Sequence, residues 1–424
     1  MIRWFYKLFN ISSKEWPRVL ILFLMLFMTQ IGAIWGRTTA YAAFIHQELE
    51  ILPWVIGLSA VLSIPSTILY SAFADRINNQ RLLLVLYVII TVGIGAGLFL
   101  LKQGYLIIGF PLIYLVYMAW GGVFDVHFAT YVNTIYDIQS AKRILPFVSA
   151  GARTGVIVAG LSMPLVTGVL TPNNIVFVWL LINLAVIVLV LLMPVILGDN
   201  KEPAQQLTGQ SQVQFSGAAK QEGSYIRSIT EGLGYTARSG YLRWITLGVV
   251  LLAILFAMIE YRSSGLLLNA LGSQESLNNY LALLLGLGNV IVLPMLLFGL
   301  NRLIARLGLG NTSLIFPASN LLISSSLVFA PGLASATAAY FNYTTLPSAF
   351  YYPINTLFYN AVPLRVRGRA RAFVDGLIFP VGLLTGSALL LILPIGVKIR
   401  AVTLFIGLLA LAFFITSLII RRQY

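Results

Sequence analysis

The sequence predicts an all-α membrane protein: twelve transmembrane helices in two pseudo-symmetric six-helix halves. Three observations carry this. The 424 residues are 59% apolar and 9% charged, with mean hydropathy +0.90, a composition of integral membrane proteins. Runs long enough to cross a bilayer of ~30 Å lie near 19–45, 51–73, 82–101, 105–136, 145–169, 174–197, 242–268, 279–299, 312–330, 335–360, 372–393 and 400–420. The chain also repeats at an offset of 225–226. Arg18 and Arg37 bracket the first apolar run as Arg243 and Arg262 bracket the seventh. Asp75-Arg76 recurs as Asn301-Arg302, Arg143-x3-Phe147-Val148 as Arg369-x3-Phe373-Val374, and Gly160 as Gly386. A parallel repeat of six-span halves is a transporter architecture.

Each element follows from local composition. The 105–136 run is long for one span, and tilt absorbs the excess. The first run has 26 residues from Val19 to Phe44, too long for a cleaved leader, so it reads as a retained helix. Loops alternate between two sides. Of 27 Lys and Arg, 21 fall on one side, three (Lys102, Lys398, Arg400) on the other and three inside spans. This is the positive-inside bias. It predicts both termini cytoplasmic, in a multi-pass protein of the cell (inner) membrane. The net charge of +14 is therefore a topology signal and predicts no nucleic-acid polymer as partner. With no cysteine, disulfide and thiol chemistry are excluded.

Four segments are expected. Residues 1–18 alternate Trp4, Phe5, Phe9 and Trp16 with Arg3, Lys7, Lys14 and Arg18, which fits an amphipathic interfacial helix or an aromatic belt. The first half covers 19–197. Residues 198–240 form a polar cytoplasmic linker with a short helix near 224–238, and 241–424 form the second half.

Charges inside spans cost several kcal/mol unless paired or solvated. Here they are Arg37, Asp125, Arg153, Glu260 and Arg262, with Asp375 just inside the eleventh span. Arg37 and Arg262 lie ~28 Å along their helices from Arg18 and Arg243. Either they form an anion-binding or gating cluster, or they snorkel to the outer surface. Arg153 has no such escape. It sits mid-span inside Gly151-x3-Gly155, a close-packing surface. It is the leading candidate for a substrate contact, against a structural pair with Asp125. Tyr340, Tyr343, Pro347, Tyr351 and Asn355 share a helix face, as do Tyr117, Trp120, Phe124, Phe128 and Tyr131 on the repeat-mate. Such rings could stack a planar base or simply pack. The substrate-contact set expected is thus Arg37, Arg153, Arg262, Asp125, Glu260, Tyr343, Tyr351 and Asn355.

Ser71-x3-Asp75-Arg76-x-Asn78-Asn79-Gln80-Arg81, between spans 2 and 3, resembles the major-facilitator loop signature Gly-x3-Asp-Arg-x-Gly-Arg-Arg, with both glycines replaced. A plain basic loop is the alternative. The resemblance implies cytoplasmic closure by Asp75, Arg76, Arg81, Asn301 and Arg302 with Lys142, Arg143, Arg369 and Arg371. Outer closure is expected from Glu260 with Arg37. Asp137-Ile138-Gln139-Ser140-Ala141-Lys142-Arg143 with Pro146 and Ala150-Gly151-Ala152 resembles the junction of spans 4 and 5 in the ATP/ADP carrier family. Arg369-Ala370-Arg371-Ala372-Phe373-Val374-Asp375-Gly376 resembles the junction of spans 10 and 11, and Glu15 and Arg37 also match. This resemblance implies the major facilitator fold and exchange of charged nucleotides. One departure matters: the family follows the first-span Arg with an acidic residue and then a Lys, where this chain has Thr38 and Ala40.

No phosphate-binding Gly-x4-Gly-Lys-Ser/Thr loop is present, and His46 and His127 form no metal motif. No enzyme activity, cofactor or metal is expected. The expectation is a monomeric secondary transporter, working by alternating access on a small anionic organic solute, with a nucleotide-like metabolite taken by exchange as one case. The alternative is a non-transporting membrane sensor or assembly factor on the same scaffold. Buried arginines favour the first, and Ala40 is the point for the second.

Overall fold

The computed structural model describes residues 15–74, 76–136, 138–197, 225–393 and 395–424. Most of the amphipathic N-terminus, Asp75, the linker residues 198–224 and the Lys142 side chain lie outside the described residues. No strand occurs among them. The first half comprises α1 (Trp16–Gln47), α2 (Ile51–Ala74), α3 (Asn79–Lys102), α4 (Leu106–Ile135), α5 (Ile138–Thr167) and α6 (Pro172–Leu197). A short helix follows, α7 (Tyr225–Arg238), where the linker helix was expected. The second half comprises α8 (Gly240–Leu271), α9 (Gln274–Pro294), α10 (Leu300–Thr312), α11 (Ile315–Phe329), α12 (Leu333–Thr344), α13 (Tyr352–Phe358), α14 (Leu364–Phe373), α15 (Phe379–Ile392) and α16 (Ile395–Gln423). Ten of the described helical stretches are long and apolar enough to span a membrane, and Ile315–Phe329 is a shorter apolar helix.

Helix ends follow local chemistry. Asn78 caps α3, its side chain accepting from the Gln80 amide, and Ser239 and Ser273 cap α8 and α9. Gly272, at φ 72, ends α8 in the left-handed conformation that favours glycine.

The second half is less regular than the pattern of its apolar runs suggests. Three π turns interrupt it, at Met295–Gly299, Pro347–Tyr351 and Val374–Ile378. Pro347 has no N–H to give its helix, and the chain answers with a wider turn. Asn301 and Arg302, expected in a loop matching Asp75-Arg76, instead lie on α10, which continues α9 through the π turn. The repeat is broken there, because the apolar run extends without a capping residue like Asn78.

Two compact units result, formed by the described parts of Met1–Ala43, Leu69–Gly217 and Asn278–Asn289, and of Phe44–Ile68, Ala218–Leu277 and Val290–Tyr424. Each therefore takes in part of a helix from the other sequence half. One piece is the end of α1 with most of α2 and the other is the middle of α9, and α2 and α9 are repeat-mates at the 226 offset. The first unit has a core built on α1, α3, α4, α5 and α6, including Met25, Tyr87, Phe124, Phe128 and Val148. The second has two clusters, one around Tyr359 and Phe373 and one around Phe256, Phe316 and Phe413.

Candidate functional site

In the first unit, close backbone approach sets the frame. A Cβ on Gly151 would meet the Phe23 carbonyl oxygen at 2.6 Å, and one on Gly155 the Phe27 carbonyl oxygen at 2.5 Å. The Gly151-x3-Gly155 face thus packs α5 directly on α1, on either side of Arg153. On α1 itself Gly32 and Gly36 cradle the ring of Trp179 from α6. A Cβ on Gly36 would lie 1.9 Å from that ring. Trp179 is 1% exposed and meets the Tyr117 ring edge-on at 6.1 Å. Tyr117 in turn carries the Arg37 guanidinium over its face at 5.1 Å, a cation–π contact. This four-member stack of glycine, tryptophan, tyrosine and arginine fixes where Arg37 stands. The Gly32-x3-Gly36 spacing was the signal that could have found it.

Asp125 lies on α4 ten residues before its end at Ile135, ~15 Å along the helix. Its side chain is exposed although it is deep in a span. A carboxylate facing lipid there would cost several kcal/mol. Of the charges around it, Asp125 feels Arg153 most and Arg37 next. The formal charges of these three sum to +1. Arg153 also donates from Nη1 to Asn289 Oδ1 at 3.0 Å. Asn289, on α9, was not singled out from the sequence. Ala40 is fully buried, as are Thr38 and Thr39, and Thr39 Oγ1 accepts from Asn278 Nδ2 at 2.9 Å.

In the second unit, Arg262 is half-buried on α8, and its Nε finds no hydrogen-bond partner among the described residues. Beside it, the Tyr261 hydroxyl donates to Glu50 Oε1 at 2.5 Å. Glu50, just before α2, thereby ties the α1–α2 turn to α8. Glu260 is half-buried, and its carbonyl accepts from Ser263. Tyr343 and Tyr351 pack on the aromatic cluster, Tyr343 6.5 Å from Phe256 and Tyr351 5.6 Å from Phe316. Tyr351 and Asn355 also line an apolar cavity with Gly248, Ser313 and Ser417.

The residues expected to close the cytoplasmic side divide into two kinds. Arg143 bonds Glu15 at 2.6 Å, and its repeat-mate Arg369 bonds Glu231 on α7. Each arginine is thus held by a glutamate on the segment leading into the first helix of its own half. Tyr136 lies beside the first pair. Burial first, and Glu15 next, push its phenol up to about 12, so it stays neutral at physiological pH. Arg371 instead bonds Asp375, four residues on, at 3.2 Å. Arg76, Arg81, Asn301 and Arg302 are exposed. The 76–78 turn is braced by neutral groups. His127, fully buried, donates from Nε2 to the Asn79 carbonyl at 2.8 Å, so its Nδ1 accepts from the Tyr70 hydroxyl at 3.3 Å. Gln80 reaches the Val190 carbonyl at 2.8 Å.

The chain resembles solved transporter structures along almost its whole length. A mutant of the nucleoside transporter NupG superposes with TM-score 0.64 at 12% identity, covering 95% of this chain and 99% of that one. A POT family transporter in complex with 5-aminolevulinic acid gives 0.57 at 15%, covering 95% of each. NupG itself gives 0.60 at 13%, covering 94% and 98%. At such identities the likeness establishes the fold, which is of the major facilitator kind. No curated protein matches in sequence. The model of the TLC ATP/ADP transporter family matches residues 95–349, more than half of the chain. The match spans α4, α5, α8 and α9, and with them Asp125, Arg153 and Asn289. The chain therefore belongs to the TLC ATP/ADP transporter family and is a multi-pass membrane transporter rather than an enzyme.

Proposed function

We propose that the protein is a secondary transporter that moves an anionic organic solute by alternating access, with a phosphorylated, nucleotide-like metabolite taken by exchange as the leading substrate class. The observation that carries this is the group of Asp125, Arg153 and Arg37, accessible deep in the helices and net positive. A transport path must solvate its charges, and the open face of Asp125 is where water and solute would reach these three. Arg153 and Arg37 are the anion contacts, and Asp125 takes a donor group of the solute. Arg262, Glu260, Tyr343, Tyr351 and Asn355 are the second unit's contributions to the same function. The sparse charge of the other side supports cytoplasmic termini in the cell (inner) membrane, and the protein acts as a monomer. Ala40 supplies no amine and is enclosed, which fits a solute with fewer phosphates than ATP.

The test is equilibrium binding to purified protein in detergent, using ATP, ADP, AMP, inorganic phosphate and a dicarboxylate, with spermidine as a cationic control. At least one anion binds, and Arg153→Gln weakens it by about tenfold or more, the worth of a charge-assisted hydrogen bond. Preference for spermidine, unchanged in Arg153→Gln, would refute the reading.

A further inference from the structure

The α5–α9 contact is a seam with its polar end at Arg153. Arg153, Gly160 and Thr167 are spaced by seven, so they fall on one helix stripe. Each meets α9. Thr167 Oγ1 donates to Asn279 Oδ1 at 2.9 Å. A Cβ on Gly160 would lie 2.4 Å from the Ala282 carbonyl oxygen and 2.7 Å from Gly286 Cα, so the two backbones touch. Arg153 reaches Asn289, one turn beyond Gly286. The glycine contact fixes the register, so Arg153 and Asn289 cannot drift apart by sliding. The Asn289 amide is oriented too: its Nδ2 donates to the Leu285 carbonyl at 2.9 Å, which turns Oδ1 toward the guanidinium. Asn289 is 6% exposed, whereas Asp125, whose carboxylate also acts on Arg153, is exposed.

We propose that Asn289 is a positioning residue for the site: it holds the Arg153 guanidinium in the solute-free protein, and an incoming anion takes that guanidinium from it. Loss of the bond releases the polar end of the seam, while the Gly160–Gly286 contact and the Thr167–Asn279 bond keep the rest closed. Occupancy of the site is thereby converted into a change at one end of a helix pair. The neutral amide suits this role. It accepts one hydrogen bond strongly enough to orient a guanidinium, and a phosphate or carboxylate outbids it. A carboxylate at position 289 would not be outbid.

This inference rests on the anionic-solute reading, and its test separates the two. Binding of ATP, AMP and inorganic phosphate is measured for the wild type, Asn289→Ala, Asn289→Asp and Arg153→Gln, with the melting temperature of each without ligand. Asn289→Ala removes the competitor and binds the anion about threefold or more tighter. Asn289→Asp retains the guanidinium and binds at least about tenfold more weakly, while melting no lower than the wild type. Opposite signs from two substitutions at one buried position are not what a packing role produces, and either variant alone still gives a sign if the other fails to fold. Equal weakening by both, or wild-type binding by both while Arg153→Gln loses the anion, overturns the role of Asn289 and leaves the anionic reading intact. If the wild type binds no anion of the full panel, ADP and the dicarboxylate included, the anionic reading falls and this inference falls with it.

Discussion

Trp179 shows how far a single residue's placement depends on what surrounds it. Its ring occupies the space that side chains at Gly32 and Gly36 would need, and it steadies Tyr117 beneath Arg37. Gly36→Ala is expected to cost about 1–3 kcal/mol through overpacking and to weaken anion binding, because the displaced ring moves Tyr117. Gly95→Ala is the control. Its added Cβ would make only an ordinary 3.6 Å contact with Leu180, so melting temperature and binding should stay as in the wild type. Equal melting temperatures for the two variants would contradict this account of Arg37. At this scale the sequence was informative about charge and silent about partners. Arg37, Asp125 and Arg153 stood out because a charged group in an apolar run is expensive. Asn289 and Tyr117 are ordinary residue types in helices, and only packing reveals that they meet an arginine. The helix face that suggested Tyr343 and Tyr351 as stacking residues is also the face that builds the second unit's aromatic cluster, since periodicity reports burial before it reports contact.

Among the elements, the paired bonds Glu15–Arg143 and Glu231–Arg369 repeat a device in each half. Both members of each pair are about a quarter exposed, so each bond exceeds a freely solvated ion pair in worth without being a buried one. The approach of α7 to α14 is tight, for a Cβ on Gly232 would meet the Arg369 carbonyl oxygen. Arg369→Glu should therefore lower the melting temperature and make the chain near α7 more susceptible to protease, and the exchange Glu231→Arg/Arg369→Glu should restore much of both. A coupling energy near zero in that double-mutant cycle, where about 1 kcal/mol is expected, would show that the pair does not hold α7. The repeat made Arg143 and Arg369 legible as equivalent positions. Their partners were not, because Glu15 and Glu231 are 216 residues apart rather than 226 and so break the register that exposed the arginines. Likewise the π turns and the continuous α9–α10 helix follow from proline placement and missing caps, which an apolar run does not display.

For the whole molecule, long apolar runs and a repeat at 226 were enough to reach an all-α membrane transporter fold of the major facilitator kind. What they could not reach was the exchange of pieces between sequence halves, with Phe44–Ile68 of α1 and α2 and Asn278–Asn289 of α9 each packing in the opposite compact unit. Glycine contacts decide that exchange. Gly160 meets α9, and Gly57 meets Ser387, whose hydroxyl donates to the Pro53 carbonyl. Such contacts between distant segments leave no periodic trace. The central claim is that a net-positive group on α1, α4 and α5 carries an anion through the protein. Its most direct test is uptake into liposomes reconstituted with the full chain, preloaded with unlabelled AMP or phosphate and offered the same labelled anion outside. The account predicts saturable accumulation that depends on the internal anion and falls by about tenfold or more in Arg153→Gln. Accumulation equal in wild type, Arg153→Gln and protein-free liposomes would contradict it.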